Sequence, residues 1–336
     1  MYEPVQELLS NGSQALNTTC RYFAQGEDIC LPLTDIPFYY PLRQNLLSGY
    51  SDTILALAAP VVAYWTMSLF FHFLDCSGWK WLDKYRIHES VEVRSRNLAS
   101  HSDVIWAVVI QHIIQTLLGY LWLTEPPEIS HARCQTQMEV LARSLVTAAR
   151  WVVGDEASRD FLEVRGAAVT QWLYWWGIPA FQFIFSLFLL DTWQYFLHRL
   201  MHTNKFLYKQ FHSVHHRLYV PYAFGALYNH PLEGFVLDSL GAVLAEYLAG
   251  LTVRQTIFLF AFSTCKTVDD HCGYSLPFDP LQMFSGNNAD YHDIHHQTVG
   301  IKSNFSQPFF VHWDTLLGTR MTRKDIEDRR RKVKTT

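Results

Sequence analysis

The chain has 336 residues, 49% of them hydrophobic and 15% aromatic with only 17% charged, a more apolar balance than soluble domains usually carry. A net charge of −4 offers no basic footprint for nucleic acid, so no such partner is expected. Six cysteines, at 20, 30, 76, 134, 265 and 272, form no C-x-x-C pair and no zinc-ribbon spacing, which leaves cysteine chemistry aside.

Residues 1–50 hold turn-formers and acids without a basic leader or a short apolar core, so a cleavable signal peptide is not expected. Cys20 and Cys30 in this stretch can pair if it lies in an oxidising lumen; Cys76 and Cys265 read as small buried hydrophobes. The first span is DTILALAAPVVAYWTMSLFFHFL, Asp52 to Leu74, long enough at 1.5 Å per residue to cross roughly 30 Å of hydrocarbon. A second runs from Asp103 to Leu123 and stops at Pro126–Pro127. Thr124 to Val169 reads as a connecting loop. A third span, Thr170 to Trp193, opens with the aromatic residues of an interfacial belt. The shorter apolar stretches Gly234–Gly250 and Thr256–Cys265 are expected to form a hairpin that crosses twice at a slant or is partly re-entrant.

Basic residues set the orientation. Lys80, Lys84, Arg86, Arg94 and Arg96 lie between the first two spans, and Arg199, Lys205, Lys209 and Arg217 follow the third, whereas residues 1–50 hold only Arg21 and Arg43. The N-terminus is therefore expected in the lumen, and the histidine-rich parts and the C-terminus in the cytosol. Acceptor patterns at Asn11 and Asn17 fit a lumenal start; Asn304-Phe-Ser306, on the cytosolic side, is expected to stay unmodified. The ending Lys332-Val-Lys334-Thr-Thr336 looks like a dilysine signal for the endoplasmic reticulum. No dinucleotide fingerprint, phosphate-binding loop, nucleophile elbow or H-E-x-x-H motif occurs.

Histidine carries the chemistry. Of sixteen, eleven fall between His198 and His312. DTWQYFLHRLMH places His198 and His202 one helical turn apart, HSVHH offers His212, His215 and His216 at offsets 0, 3 and 4, and HDIHH repeats that spacing with His292, His295 and His296. On a helix each group shares one face. Tyr228-Asn-His230-Pro and Asp269-Asp-His271-Cys add His230 and His271, giving ten candidate ligands, more than one metal needs and enough for two. Isolated histidines are more often packing residues, and His72, His88, His101, His112, His131 and His312 read that way. Asp191, Glu233, Asp269, Asp270, Asp290 and Asp293 are candidates to accept the outer N–H of a ligating imidazole; none is assigned as a ligand.

An all-imidazole site suits iron, zinc, copper or nickel. A hydrolytic zinc site needs a polar cleft, whereas this one abuts apolar helices where a lipid chain can lie; iron activates O₂ and can remove hydrogen from an unactivated C–H bond. That chemistry needs two external electrons, and without a flavin, nicotinamide or haem motif a separate donor is implied.

The pattern H-x3-H, H-x2-H-H, H-x2-H-H after apolar spans resembles the fatty acid hydroxylase and sterol desaturase superfamily of membrane di-iron oxygenases. Over about residues 170–320, DTWQYFLHRLMHTNKFLYKQFHSVHHRLYVPYAFGALYNHPLEG, KTVDDHCGYSLPFDP and NNADYHDIHHQ are similar to its fungal sphinganine 4-hydroxylase branch. The resemblance implies an all-α, multi-span membrane protein with a cytosolic histidine-rich helical metal-binding cap. It further implies hydroxylation at carbon 4 of sphinganine or dihydroceramide with O₂ at two iron ions, which zinc can replace, and electrons from NADPH through cytochrome b5 and its reductase. His198, His202, His212, His215, His216, His292, His295 and His296 match the family boxes. Ser275 stands where the family often has a second histidine four residues after His271, so His230 is the substitute tenth ligand.

The expected organisation is a lumenal segment 1–50, two spans with loops 51–169, a catalytic domain 170–320 and a basic cytosolic tail 321–336. The rival readings are a C-4 methylsterol oxidase or related sterol or fatty acid hydroxylase with the same site, a histidine-rich metal transporter, which needs histidines inside the spans, and an inactive scaffold.

Overall fold

The computed structural model describes Pro37, residues 45–122 and residues 131–335. Asn11, Asn17, Cys20, Cys30 and Thr336 lie outside the described residues. The long elements are all helices: α1 (Asp52–Cys76), α2 (His101–Trp122), α3 (His131–Val153), α4 (Asp155–Trp172), α5 (Ile178–Thr203), α6 (Leu240–Ala249), α7 (Val253–Asp270), α8 (Ala289–His296) and α9 (Arg323–Thr335). Among the described residues the only β pairing is an isolated antiparallel bridge between Arg86 and Tyr274. Asp52–Cys76, His101–Trp122 and Asp155–Thr203 are long and apolar enough to cross a membrane, so the protein is an all-α membrane protein.

The chain forms two compact units, Met1–Gly49 with Pro127–Phe181 and Tyr50–Pro126 with Gln182–Thr336. In the first unit α3 and α4 meet at Gly154, whose φ of 84° suits a residue without Cβ. Cys134, Met138 and Ala142 on α3 and Leu162, Gly166 and Thr170 on α4 are buried at every fourth position, an amphipathic pattern. Tyr174 donates to Gln137 at 2.6 Å. The stretch expected to be a loop is thus helical from His131 onward, its arginines and acids sorted onto the polar faces.

The second unit carries the histidines. Ser51 caps α1 by accepting from the Ile54 amide at 3.2 Å. The buried stripe of α1 includes Tyr64, Ser68 and Phe71, and Tyr64 donates to the Phe224 carbonyl at 2.7 Å. Its opposite side leaves Val62, Leu69, Phe70 and Phe73 exposed, as does α2 with Trp106, Ile113 and Leu117. In water such a surface is a liability; in lipid it is the expected exterior.

The hairpin turns where α6 ends on Gly250, at a left-handed φ of 65°, and α7 starts with a capping box between Thr252 and Gln255. A buried Arg254–Asp52 ion pair, 2.7 Å long, joins the beginnings of α7 and α1, and just past α7 the Tyr274 hydroxyl donates to Asp75 at 2.8 Å near the end of α1. The 18-residue α7, about 27 Å long, therefore runs beside α1 in the same direction. The second arm of the hairpin reaches nearly the depth of the first span.

Within the second unit, the loop after α1 and the segments following α5 and α7 fold together into a cap. The loop after α1 is held there by Ile87 N–H to the Gly273 carbonyl (2.9 Å) and Ser275 N–H to the Tyr85 carbonyl (2.8 Å), and Asn97 brackets Val220 with two bonds of 2.8 Å. A strap, residues 303–310, is fixed by Asp314, which accepts from the Phe305 and Ser306 amides at 3.0 and 2.7 Å, and by Asp191, which accepts from the Phe309 amide at 3.1 Å. Asn304 is buried, donates to the Tyr291 and Met321 carbonyls and accepts from the Met321 amide. Cys76 departs from its expectation: it is exposed at the end of α1, while Cys134 and Cys272 are the buried thiols.

Gly300 marks the tightest approach in the cap. A Cβ there would lie 1.9 Å from the Ile294 carbonyl oxygen in α8, and backbone inside a histidine-bearing helix cannot yield cheaply. Gly300→Ala is expected to cost about 1–3 kcal/mol and to lower bound metal, read by thermal melting in detergent and by metal-to-protein ratio.

Candidate metal centre

His198 and His202 project from the last turns of α5, one turn apart. The chain then leaves the α-helix. Asn204 caps a short turn, Tyr208–His212 is a π-turn, and His215–Arg217 is a 3-10 turn. HSVHH is therefore not the single α-helical face its spacing suggests. HDIHH is helical, on α8, which Asn288 caps by accepting from the Tyr291 amide at 2.9 Å.

These segments, with His271 just past α7, gather nine histidines into two groups. His198, His202, His212, His216 and His295 form one, and His215, His271, His292 and His296 the other; within each group one ligand atom per residue lies within 4.8 Å of all the rest. Each H-x2-H-H box is divided, in opposite senses. His212 and His216 face the first group while His215 faces the second; His292 and His296 face the second while His295 faces the first.

Tautomers follow from the outer nitrogens. Nδ1 of His198 meets the Phe305 carbonyl at 2.8 Å, His215 that of Tyr228 at 3.2 Å, His271 that of Thr267 at 2.8 Å, His295 that of Ser303 at 2.7 Å and His296 that of Leu218 at 2.8 Å. His212 Nδ1 meets Glu233 at 2.5 Å. Carbonyl and carboxylate oxygens only accept, so these six imidazoles carry their proton on Nδ1 and point a bare Nε2 inward. His198 and His212 then face each other through two lone pairs at 3.0 Å, and His215 and His271 at 3.4 Å. Neither contact is a hydrogen bond. Buried and unprotonated donors held against one another call for a cation between them. The distances fit: at metal–nitrogen lengths of about 2.1 Å, ligands at right angles sit about 3.0 Å apart, and the His202–His212, His212–His216 and His292–His296 contacts are 2.7, 3.1 and 3.0 Å.

His230, the tenth candidate, is not brought to either group. Its Nδ1 accepts from the Leu232 amide at 3.2 Å, capping Pro231–Gly234, and its ring packs on Phe211. Of the six candidate acids only Glu233 touches a clustered histidine. Asp191 holds the strap, Asp269 accepts from Gln282 at 3.1 Å, Asp270 pairs with Lys266, and Asp290 and Asp293 bind Arg323, with Asp293 also meeting His88 at 2.8 Å. Neutral carbonyls take the role expected of acids, because they fix a buried imidazole without adding a second buried charge. One was legible in advance: Thr267 lies in the last turn of α7, where carbonyls lack helical partners, four residues before His271.

Two neighbouring cavities share part of their lining beside the histidine groups. A largely apolar one of about 320 Å³ runs between α1, α2, α5, α6 and α7, past Leu57, Val61, Leu121 and Val243. A small polar one is walled by His212, His215, His271 and His292. Gln194, Asp238, Thr267 and Pro308 line both.

Comparison with known proteins places this architecture. A profile for fatty acid hydroxylases matches residues 183–319, the stretch that holds both groups. The chain is 49% identical to a sphingolipid C4-hydroxylase of Saccharomyces cerevisiae over 277 residues, covering 82% of this chain and 74% of that protein. The chain belongs to the fatty acid hydroxylase family. It is also 43% identical to a sphingolipid C4-hydroxylase of Schizosaccharomyces pombe, over 83% of this chain and 92% of that one. With a sphinganine C4-monooxygenase of Arabidopsis thaliana it shares 43% identity over 81% of this chain and 88% of that protein. No solved structure gives a significant match. Membership of the fatty acid hydroxylase family makes the chain an oxidoreductase.

Burial holds the imidazoles of this family member neutral. It lowers His215 to about 4 and, with His215 as the next cause, His271 to about 3; His295 is lowered to about 3 by burial. His212, His216, His292 and His296 are held well below the ordinary value for the same first cause. Burial, then Asp238, push the Glu233 carboxyl up, so a cation held at the far nitrogen of His212 would favour its ionised form.

Two outcomes follow. Between the unfolded value of 6.5 and folded values near 3 to 4, the unfolded state binds more protons than the folded one, so acid favours unfolding and, with it, release of metal. Metal content after dialysis and the melting midpoint should be level from about pH 7 to 8 and fall progressively below about pH 6.5. Glu233→Gln, which removes the carboxylate on His212, should weaken metal binding about tenfold to a hundredfold, measured by chelator competition.

Proposed function

We propose that this chain is a sphingolipid C4-hydroxylase that converts sphinganine or dihydroceramide to the 4-hydroxylated product at two histidine-held iron ions, with zinc as a replacement in some preparations. The observation that carries this reading is the meeting of an apolar cavity, open to the membrane helices, with the histidine-walled pocket through a shared collar of Gln194, Asp238, Thr267 and Pro308. A long alkyl chain fits the first and its polar end the second. The relatives matched over most of their length are named for sphingolipid and sphinganine C4 chemistry. They do not favour the C-4 methylsterol alternative. The transporter alternative needs histidines within the spans, and of the clustered nine only His198 and His202 fall inside a candidate span.

The reaction inserts one oxygen atom: R–H + O₂ + 2e⁻ + 2H⁺ gives R–OH + H₂O. Bound iron supplies the activation of O₂ and the cleavage of a C–H bond that no side chain can attack. The chain's own residues do the remaining work. His198, His202, His212, His216 and His295 would hold one ion and His215, His271, His292 and His296 the other, the tautomers of six of them locked by the carbonyls and Glu233. Leu57, Val61, Leu121 and Val243 bury the alkyl chain and keep bulk water from it. The collar orients the polar end so that carbon 4 faces the histidines.

Electrons are taken from NADPH through cytochrome b5 and its reductase, and the setting is the endoplasmic reticulum with a lumenal N-terminus. Lys80 and Lys84, exposed beside the exposed Trp79 and Trp81 at the end of α1, support a cytosolic, interfacial position for the cap.

Cells making His215→Ala or His295→Ala, one from each group, should lose 4-hydroxylated sphingoid bases by lipid analysis at equal protein level; unchanged amounts would sink the reading. Endoglycosidase treatment should shift the chain through Asn11 or Asn17 if the N-terminus is lumenal.

A further inference from the structure

Asp238 sits where the two cavities join, and lines both. It is the only Asp, Glu, Lys or Arg among the described residues lining the apolar cavity. Its carboxylate has two weak partners, the amide of Gln194 at 3.3 Å and that of Asn229 at 3.5 Å, against about four acceptor sites on a carboxylate. Among the described residues no lysine or arginine pairs with it. Lys266 is committed to Asp270 and to the Asn287 carbonyl, and Arg254 to Asp52 at the far end of α7.

A carboxylate drawn out of water without a cationic partner is costly, and a hydroxylase pocket for a neutral or anionic lipid has no use for one. A protonated amine supplies the missing charge. The position suits that role. Gln194 and Thr267, which share the collar with Asp238, stand one helical turn before His198 and His271. A group held there lies roughly one turn, about 5 Å, from the histidine layer. In sphinganine the amine is on carbon 2, two bonds from carbon 4, so the spacing brings carbon 4 toward the histidines.

We infer that Asp238 anchors the protonated 2-amino group of the substrate, and that the chain takes the free sphingoid base in preference to its N-acylated form. This rests on the C4-hydroxylase reading. Asp238 acts here as a specificity and positioning residue, holding the lipid by its charge while the alkyl chain fills the apolar cavity.

The test uses membranes from cells expressing the full chain, with NADPH, at equal protein and metal content. Asp238→Asn should raise KM for sphinganine about thirtyfold, as loss of one member of a buried charge pair does, and raise KM for N-acetylsphinganine severalfold less. In the unaltered protein, N,N-dimethylsphinganine, which keeps the charge, should compete with sphinganine, and N-acetylsphinganine should compete poorly. An unchanged KM in Asp238→Asn, an equal loss on both substrates, or stronger competition by the N-acetyl compound than by the cationic one overturns the assignment. If the unaltered chain hydroxylates neither substrate at carbon 4, the C4-hydroxylase reading itself fails.

Discussion

Neutral imidazoles, buried and aimed nitrogen to nitrogen, impose the constraint on which the cap depends. Each ring has one nitrogen to donate and one to present, and for six of the nine the fold assigns them: Nδ1 outward to an acceptor, Nε2 inward to a shared point. Without a cation, that arrangement sets lone pair against lone pair in a water-poor interior. The histidine groups therefore have to be held together by the rest of the cap, and most of its irregular backbone is where the acceptors are needed. The Phe305 and Ser303 carbonyls come from the strap, Leu218 and Tyr228 from the segment between box and hairpin, and Thr267 from the end of α7.

The reciprocal division of the two H-x2-H-H boxes ties the groups to each other. Because His215 leaves its own box for the second group and His295 leaves its own for the first, neither group can form while the other box is out of place. The polar bonds around them serve that registration. Asp314 fixes the strap, Arg323 and His88 hold Asp293 between His292 and His295, and the close fit of Gly300 against Ile294 sets the path of the chain leaving α8.

The membrane supplies the other half of the design. Large side chains exposed along α1 and α2 are stable only against lipid, and the cavity among these helices is continuous in character with that surroundings. It ends at a collar of few polar groups one turn below the histidines. The apolar cavity is thereby separated from the histidine groups by these few polar side chains.

Much of this was legible in the residues. Length and apolarity fix the spans, because crossing hydrocarbon requires about twenty apolar residues and no folded context; the boxes point to clustered histidines able to hold metal, because nothing structural requires so many imidazoles at ligand spacing. The helical pair from His131 was not read, since mixed arginines and acids mask a stripe that is apolar only every fourth residue. Four further matters were decided by tertiary structure alone. The division of the boxes into five and four depends on π and 3-10 turns at His212 and His215. His230 turned aside because its ring was more useful as a helix cap before Pro231. Five of six acids found structural partners while carbonyls took their place, and Asp238 came to the junction of the cavities. Spacing along a chain tells which side chains share a turn; which atoms meet across a hundred residues depends on how the intervening backbone finds its hydrogen-bond partners.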